Sequence, residues 1–450
     1  MKSKLSGWRY LWTSIDIRRK LLYTLGFLAL YRVTANVPVP GVDSVALEAF
    51  RSSGAGGSMF GFLDLLSGGT VSQFSLLSMG VYPYITAQII LQLLTPIIPA
   101  LQKRMEDDPR EGQKWMEKWT YILAVPMAMV SAIGQVNIFN SFATQNGLEQ
   151  VIPFGFTAGL VLPSLTVLFS MTAGTMFAIW LGELISEYGM RKQGLSLIIF
   201  SGIVVSMPSN LARMMSDDQN RWILLAITIV VLILTIYAVV VVQEGQRNVP
   251  VMYPGRRMGN RMSMPVKGSL PLKVNMAGMI PLIFASAILQ FPAIVSSYFV
   301  SSEVNWVASF AQSIQSTFDG TGGTYWFIYF IMVVVFTFFY TDVLFAQQNY
   351  GENLKRMGAQ IPGVSRGAPT QRYLTKVQRR ITLPGALFLG LVAVLPYIMK
   401  FFMPMSSQGS GLLLVSSAGL LIVVGVVRDV FQSIDAELKL HGYQDSILVK

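Results

Sequence analysis

Residues 80–92 read GVYPYITAQIILQ, and residues 278–290 read GMIPLIFASAILQ. Aligned without a gap they agree at seven of thirteen positions, as G-x-x-P-x-I-x-A-x-x-I-L-Q. Agreements in Ile, Leu and Ala arise easily between apolar segments, which draw on few residue types. A Gly, a Pro and a Gln shared at fixed spacing do not. The two stretches therefore read as equivalent pieces of two related halves, and the fold must account for a duplicated unit.

The surrounding chain says what kind of unit. Its 450 residues are 52% hydrophobic and 13% charged, with a mean hydropathy of +0.52. No soluble domain of this size could hide so much apolar surface in one core, so the chain reads as an integral membrane protein. Apolar runs near the length that crosses a ~30 Å hydrocarbon layer fall at 21–38, 72–98, 119–138, 154–182, 195–212, 222–242, 274–298, 324–346, 381–399 and 411–428. Ten spans put both termini on one side. Sorting the loops alternately places 29 of the 34 Lys and Arg on that side. Four (Arg51, Arg213, Arg221, Lys400) fall on the other, and Arg32 lies inside a span. One misplaced span would scramble this split, and by the positive-inside rule the termini are cytoplasmic. The net charge of +11 is thus mostly topology. The basic N-terminus is followed by no small-residue cleavage site, so span one reads as a retained signal anchor.

In this topology the two repeat copies run in opposite directions across the membrane. The fold class is all-α and polytopic, with two inverted five-span halves, 1–212 and 213–450, and a functional path between them near the midplane. Each copy carries a proline inside an apolar span, Pro83 and Pro281. The freed carbonyl is tolerated where neighbours or water re-satisfy it, which suits a helix that flexes or lines a cavity; a plain kink is the alternative.

Several chemistries are excluded. There is no G-x-x-x-x-G-K-[S/T] phosphate loop. With no cysteine and a single histidine, His441 in the C-terminal tail, no His and Cys cluster has metal-ligand spacing and no Ser-His-Asp set is available, so no metal is expected. No catalysis and no cofactor are expected. Glu183, Asp342 and Asp429 fall at cytoplasmic ends of spans, leaving only Arg32 deep. Ion-coupled carriers usually hold ionisable groups in the membrane, so a passive pore is favoured over a coupled transporter of small solutes, which stays as the alternative. A passive pore needs a seal, and an apolar constriction can supply one by dewetting. Val81 and Ile85 are spaced i and i+4, as are Leu195 and Ile199, although such pairs face lipid or core far more often than a pore.

One stretch fits no ordinary slot. Residues 59–69, MFGFLDLLSGG, are too apolar for a solvated loop, yet as a helix they reach only ~16 Å. That is half a membrane. The segment reads as re-entrant, with Gly68-Gly69 freeing the joint to the span that follows. Asp64 is expected on its wet face, because a carboxylate against an apolar seal is costly.

The residues resemble the SecY/Sec61-alpha family of protein translocases along essentially the whole chain. The likeness rests on PVPGVD after span one, SGG then MGVYPYITAQIILQLL in span two, and TAGTMFAIWLGELI ending span four. It continues with EGQR after span six, LPLKVNMAGMIPLIFAS entering span seven, FFYTDVLF closing span eight and NLKRMGAQIPG beyond it. What the resemblance implies is a clamshell of two halves round an hourglass pore. Its waist ring would be Val81, Ile85, Leu195, Ile199, Ile283 and Ile422. The plug would be the 59–69 segment, with Met59, Phe60, Phe62, Leu63, Asp64, Leu65, Leu66, Gly68 and Gly69. The lateral gate, between spans two to three and seven to eight, would carry Gln92, Asn275 and Gln290.

The basic loops at about 243–273 and 347–380 would dock partners through Arg247, Arg256, Arg257, Arg261, Lys355, Arg356 and Arg366. The family's usual loop reads Ile-Arg-Pro-Gly after PG, whereas this chain reads PGVSRGAPT, with Arg366 one place late. The implied partners are the SecE and SecG subunits, the SecA motor, the ribosome through its RNA and proteins, signal sequences and nascent polypeptides, and membrane lipid. The implied location is the bacterial inner (plasma) membrane. Clustered arginine suits a polyanion such as ribosomal RNA through phosphate contacts.

Overall fold

A computed structural model describes residues 15–43, 47, 74–145, 152, 154–155, 160–190, 193–215, 221–254, 257–258, 261–262, 266–297, 299, 304–318, 322–402 and 410–440. The 59–69 segment, Arg256 and His441 lie outside the described residues.

Every one of the ten apolar runs meets a helix. In chain order these are α1 (Ile15–Thr34), α2 (Tyr82–Ile97), α4 (Pro109–Gln145), α5 (Val161–Tyr188), α6 (Gly194–Met215), α7 (Arg221–Glu244), α8 (Ile280–Ser297), α10 (Gly323–Gln347), α12 (Ala368–Phe402) and α13 (Ser410–Leu440). Three shorter helices, α3 (Pro99–Asp107), α9 (Asn305–Phe318) and α11 (Tyr350–Arg356), lie between them. Among the described residues five helical stretches are long and apolar enough to cross a membrane, or six if the bent pair α2–α3 is one span. The Leu225–Glu244 part of α7 has a mean hydropathy of 3.1 and keeps only 11% of its residues inside the protein. A helix so apolar and so uncovered needs lipid around it.

The helix boundaries correct the sequence expectation at both repeat copies. Span two was expected from 72, but α2 begins at Tyr82; span seven was expected from 274, but α8 begins at Ile280. The cause is the same in each. Gly80 has φ +50° and Gly278 φ +65°, left-handed values that suit glycine and interrupt a helix. Two residues later each helix starts, with Pro83 and Pro281 in its first turn, where a missing N–H costs nothing. The repeat prolines therefore initiate helices rather than kink them. Residues 74–81 form turns instead, and Phe74, Ser75, Leu77 and Ser78 are completely buried. Non-helical backbone at membrane depth is tolerated only when protein covers it. The close approach of Leu76 to α5 depends on Gly174, whose place any Cβ would contest.

Span one also shifts: α1 runs from Ile15 to Thr34 rather than over 21–38, so Arg32 stands in its last turn and not deep within it. There it complements the negative helix C-terminus, donates to Ser201 Oγ at 3.4 Å and lies 5.6 Å from the Tyr31 ring centre.

The long basic loops carry structure that the sequence reading left out. β1 (Gln246–Tyr253) and β4 (Val266–Lys273) pair as an antiparallel ribbon, and between them in the chain lies the short pair β2 (Arg257–Met258) and β3 (Arg261–Met262). The all-α class thus carries one β hairpin outside its membrane helices. The ninth apolar run, expected at 381–399, is the inner part of α12, whose 35 residues would extend roughly 50 Å. That is well beyond a bilayer's hydrocarbon, so its N-terminal turns project toward the hairpin.

Candidate functional site

Three packed regions meet around the repeat helices. The first is an apolar cluster that draws on α1, α2, α5, α6 and α13. Val81, Ile199 and Ile422 are buried in it, with 1%, 4% and 2% of their surfaces exposed, and Ile85 and Leu195 pack against it. Val81 is the residue before α2 rather than within it. Its carbonyl nonetheless accepts the amide of Ile85 at 3.1 Å, so the i, i+4 pairing survives. Leu195, in the first turn of α6, is also applied to Gly182 of α5 and to the neighbouring Tyr84, Ala87, Ala124 and Ile179 cluster. Ile283 is buried on α8, one turn beyond Met279, which itself packs on the central cluster. Five of the six expected ring residues are thus brought together directly, while Ile283 is buried on α8.

The second region is a seam between the first and last groups of helices. Ile89 of α2 is buried with Phe284 of α8, Tyr340 of α10 and Ala277, and Ile85, Leu93, Ile280, Phe336 and Leu344 fill its edges. Phe284 meets Phe336 and Tyr340 edge to face at 6.2 and 5.4 Å between ring centres, the favoured geometry for aromatic rings. Polar contacts also cross the seam. Tyr82 Oη donates to the Ala287 carbonyl at 3.4 Å, and Gln92 of α2 reaches the Tyr340 hydroxyl of α10. Farther along, Ala293 of α8 is buried among α4 and α5 residues including Val136 and Phe139. A seam held mainly by apolar contacts can part at modest cost, because among the described residues no charge pair spans it.

The other expected gate residues have different settings. Asn275 spends its amide locally: Oδ1 accepts the Gly278 amide at 2.9 Å and Nδ2 donates to the Gly278 carbonyl at 3.1 Å. It braces the turn that launches α8. Gln290 sits on α8, ten residues from its start.

The third region is a platform outside the membrane helices. Val249, Val251 and Leu272 of the hairpin share a core with Phe345, Leu354, Ala359, Ile361, Leu374 and Ile381. Met252 and Gln360 exchange backbone hydrogen bonds at 2.8 and 2.9 Å, so the two basic loops are one body. Arg379 of α12 grips Asp342 of α10 through two nitrogens at 2.9–3.2 Å; that contact, first of all, raises the pKa of the Arg379 guanidinium further above its ordinary value. Gln378, 1% exposed, donates to the Lys273 carbonyl at 3.1 Å. It thereby pins the end of β4 close to where the chain enters α8. Arg247 is exposed on β1. Lys355 and Arg356 project from α11 beside Glu352 at 3.9 and 3.7 Å. Arg366 is exposed and donates to Gln360 Oε1 at 3.2 Å. Arg257 and Arg261 lie on β2 and β3.

The SecY family model matches residues 75–431. Curated relatives named protein translocase subunit SecY include that of Streptomyces scabiei, 34% identical over 435 residues and covering 95% of this chain and 96% of the relative. That of Chlamydia muridarum is 34% identical over 467 residues, with 98% of each covered. The chain belongs to the SecY family. Its fold is also that of a solved protein conducting channel, with a TM-score of 0.61 at 17% identity over 96% of this chain and 95% of that one. Sec61 in the canine ribosome-channel complex from the endoplasmic reticulum gives 0.58, again at 17% identity and with the same shares covered.

Membership fits what the geometry joins: the two copies of the repeat launch α2 and α8, which meet at the seam, and Ile85 of α2 and Met279 just before α8 both pack on the central cluster. Sequence reasoning missed Phe284, Phe336 and Tyr340, the aromatic residues of the seam. Their signal was available only in part, since FFY and IPLIF are ordinary membrane-helix composition until a partner helix is known.

Proposed function

We propose that this chain is the passive, channel-forming subunit of a protein translocase. Unfolded polypeptides cross through the centre of the molecule, and apolar segments leave sideways into lipid between α2–α4 and α8–α10. The observation that carries the reading is the adjacency of a closed apolar cluster and a weakly cross-linked apolar seam, both flanked by the helices that the repeat launches. A translocating chain needs a constriction that refuses ions and a side exit that admits apolar segments, and α2 and α8 serve both. Val81, Ile85, Leu195, Ile199, Ile283 and Ile422 form the constriction, Gln92 and Gln290 the polar points of the gate, and Asn275 the brace of α8. Residues 59–69 are the plug; a solved SecY structure concerns a plug domain that stabilises the closed state.

The halves are 1–212 and 213–450, and the molecule sits in the plasma membrane with its basic platform in the cytoplasm. There Arg247, Arg256, Arg257, Arg261, Lys355, Arg356 and Arg366 engage the ribosome or the SecA motor, and SecE and SecG complete the complex. No comparison lends support to a carrier of small solutes.

The deciding test is crosslinking of a stalled secretory chain to a single cysteine at Ile85 or Ile283, each introduced into a chain that has none. We expect crosslinks at both. A competent complex that gives none at either position overturns the pore assignment.

A further inference from the structure

Helix α9 has three faces, and only two have a partner in the protein or in water. Its sequence, NWVASFAQSIQSTF, contains no charged residue. Ala311 and Gln315 are buried against the neighbouring helices, with 3% and 8% exposure. At 100° per residue, Ser309, Gln312 and Ser316 gather on a second, exposed and polar side. Trp306 and Phe310, one turn apart and 73% and 63% exposed, occupy the third, which continues through Ser313 and Thr317, whose hydroxyls donate back to the carbonyls of Ser309 and Ser313.

The position of α9 says what covers that third face. It joins the end of α8 to the start of α10, whose opposite ends carry the hairpin and the basic platform. It therefore lies at the far surface of the membrane from that platform. The helices that it joins also expose apolar residues near that end: Phe291 and Val295 of α8 are 62% and 38% exposed, and Phe327 and Ile331 of α10 are 65% and 43% exposed. Its last residue, Phe318, packs against both the Phe139 cluster and the Tyr325–Trp326 cluster, which fixes the end of the helix at that level of the protein.

We propose that α9 is an interfacial anchor, lying at the headgroup–acyl boundary with Trp306 and Phe310 in the lipid, and that it tethers the outer end of α8 to that leaflet. The inference rests on α8 and α10 crossing the membrane, as the channel reading requires. An amphipathic helix in the plane of the interface buries its apolar face a few ångströms into the boundary, and aromatic side chains are favoured there. Basic residues on such a helix would select anionic lipid; α9 has none, so its seating is apolar and indifferent to headgroup charge.

The absence of native cysteine allows one nitroxide label at a time in the full-length chain, placed by Trp306→Cys, Phe310→Cys, Ser309→Cys, Ser316→Cys or Phe327→Cys. The chain is reconstituted in phosphatidylcholine vesicles, with and without phosphatidylglycerol. Accessibility to oxygen, which concentrates in lipid, is compared with accessibility to a water-soluble nickel chelate. Labels at 306 and 310 are expected to favour oxygen, and labels at 309 and 316 nickel, identically in both lipid mixtures. Nickel access at 306 and 310 equal to that at 316 overturns the anchor, and so does a label there shielded from both probes, which would mean that protein covers the face. Seating that appears only with phosphatidylglycerol overturns its apolar basis. The label at 327 separates the two levels: if it too is open to nickel, the membrane-crossing reading of α10 fails, whereas oxygen access at 327 with nickel access at 306 sinks the anchor alone.

Discussion

Gly80 and Gly278 hold the same column of the repeat, and both adopt the left-handed backbone that lets a buried turn hand over to a helix at a proline. The column was legible in the sequence, because Gly, Pro and Gln recur at fixed spacing. The conformation was not: an apolar run of 72–98 has nothing in its composition to distinguish eight residues of turn from helix. A Cβ at Gly278 would meet no atom within 4 Å, so a substitution there acts through the backbone alone. Gly278→Ala should cost about 1–2 kcal/mol, the penalty for an L-residue in this region. Gly278→Asn, which tolerates left-handed values, should cost clearly less. Thermal or denaturant midpoints of the purified protein in detergent check this, and equal losses for the two variants would contradict the backbone origin. Arg32 makes the complementary point: its depth was misread because the span was expected to run on to residue 38, whereas α1 ends at Thr34.

Elements outside the membrane were harder to read than those within it, for a reason that lies in the alphabet of each. Apolar runs announce helices because lipid demands about twenty apolar residues, whereas the hairpin announces itself only by alternation: Val249 and Val251 face the platform core while Asn248 and Pro250 face out. That period of two was present in QRNVPVMY and was masked by Pro250, a residue that strand interiors seldom hold. The hairpin is not an independent ribbon, because two strands alone are marginal in water and this pair borrows the core of α11 and α12. Its attachment runs through Met252 and Gln360, whose paired hydrogen bonds Gln360→Pro would break by removing the amide that donates to the Met252 carbonyl. Hydrogen exchange should then rise at Met252 and along β1, while the amides of α10 stay protected. Unchanged exchange in β1 would mean that the shared apolar core holds the hairpin without the bridge.

On the scale of the whole molecule, the seam around Phe284 decides whether the halves are a fixed core or a gate. The duplicated sequence foretold that α2 and α8 would be counterparts, but not which side chains would close between them, since contacts across a seam have no periodicity of their own. Phe284 is 2% exposed and joins α8 to α10 through two edge-to-face contacts, with Ile89 of α2 in the same cluster. In a rigid core, Phe→Ala costs about 3–5 kcal/mol because the cavity cannot close. In a seam that can part, some of that loss moves into the balance between shut and parted states, where each 1.4 kcal/mol is a factor of ten. Phe284→Ala should therefore raise ion leak through reconstituted vesicles roughly tenfold or more and admit clients with weakened signal sequences. Leu374→Ala, at a completely buried site in the platform core, should lower the unfolding midpoint and leave the leak at its starting level. Ion flux and midpoint measured together on both variants separate the cases. If Phe284→Ala loses several kcal/mol of stability and leaks no more than Leu374→Ala, the seam is ordinary core, and the lateral exit must be sought between other helices.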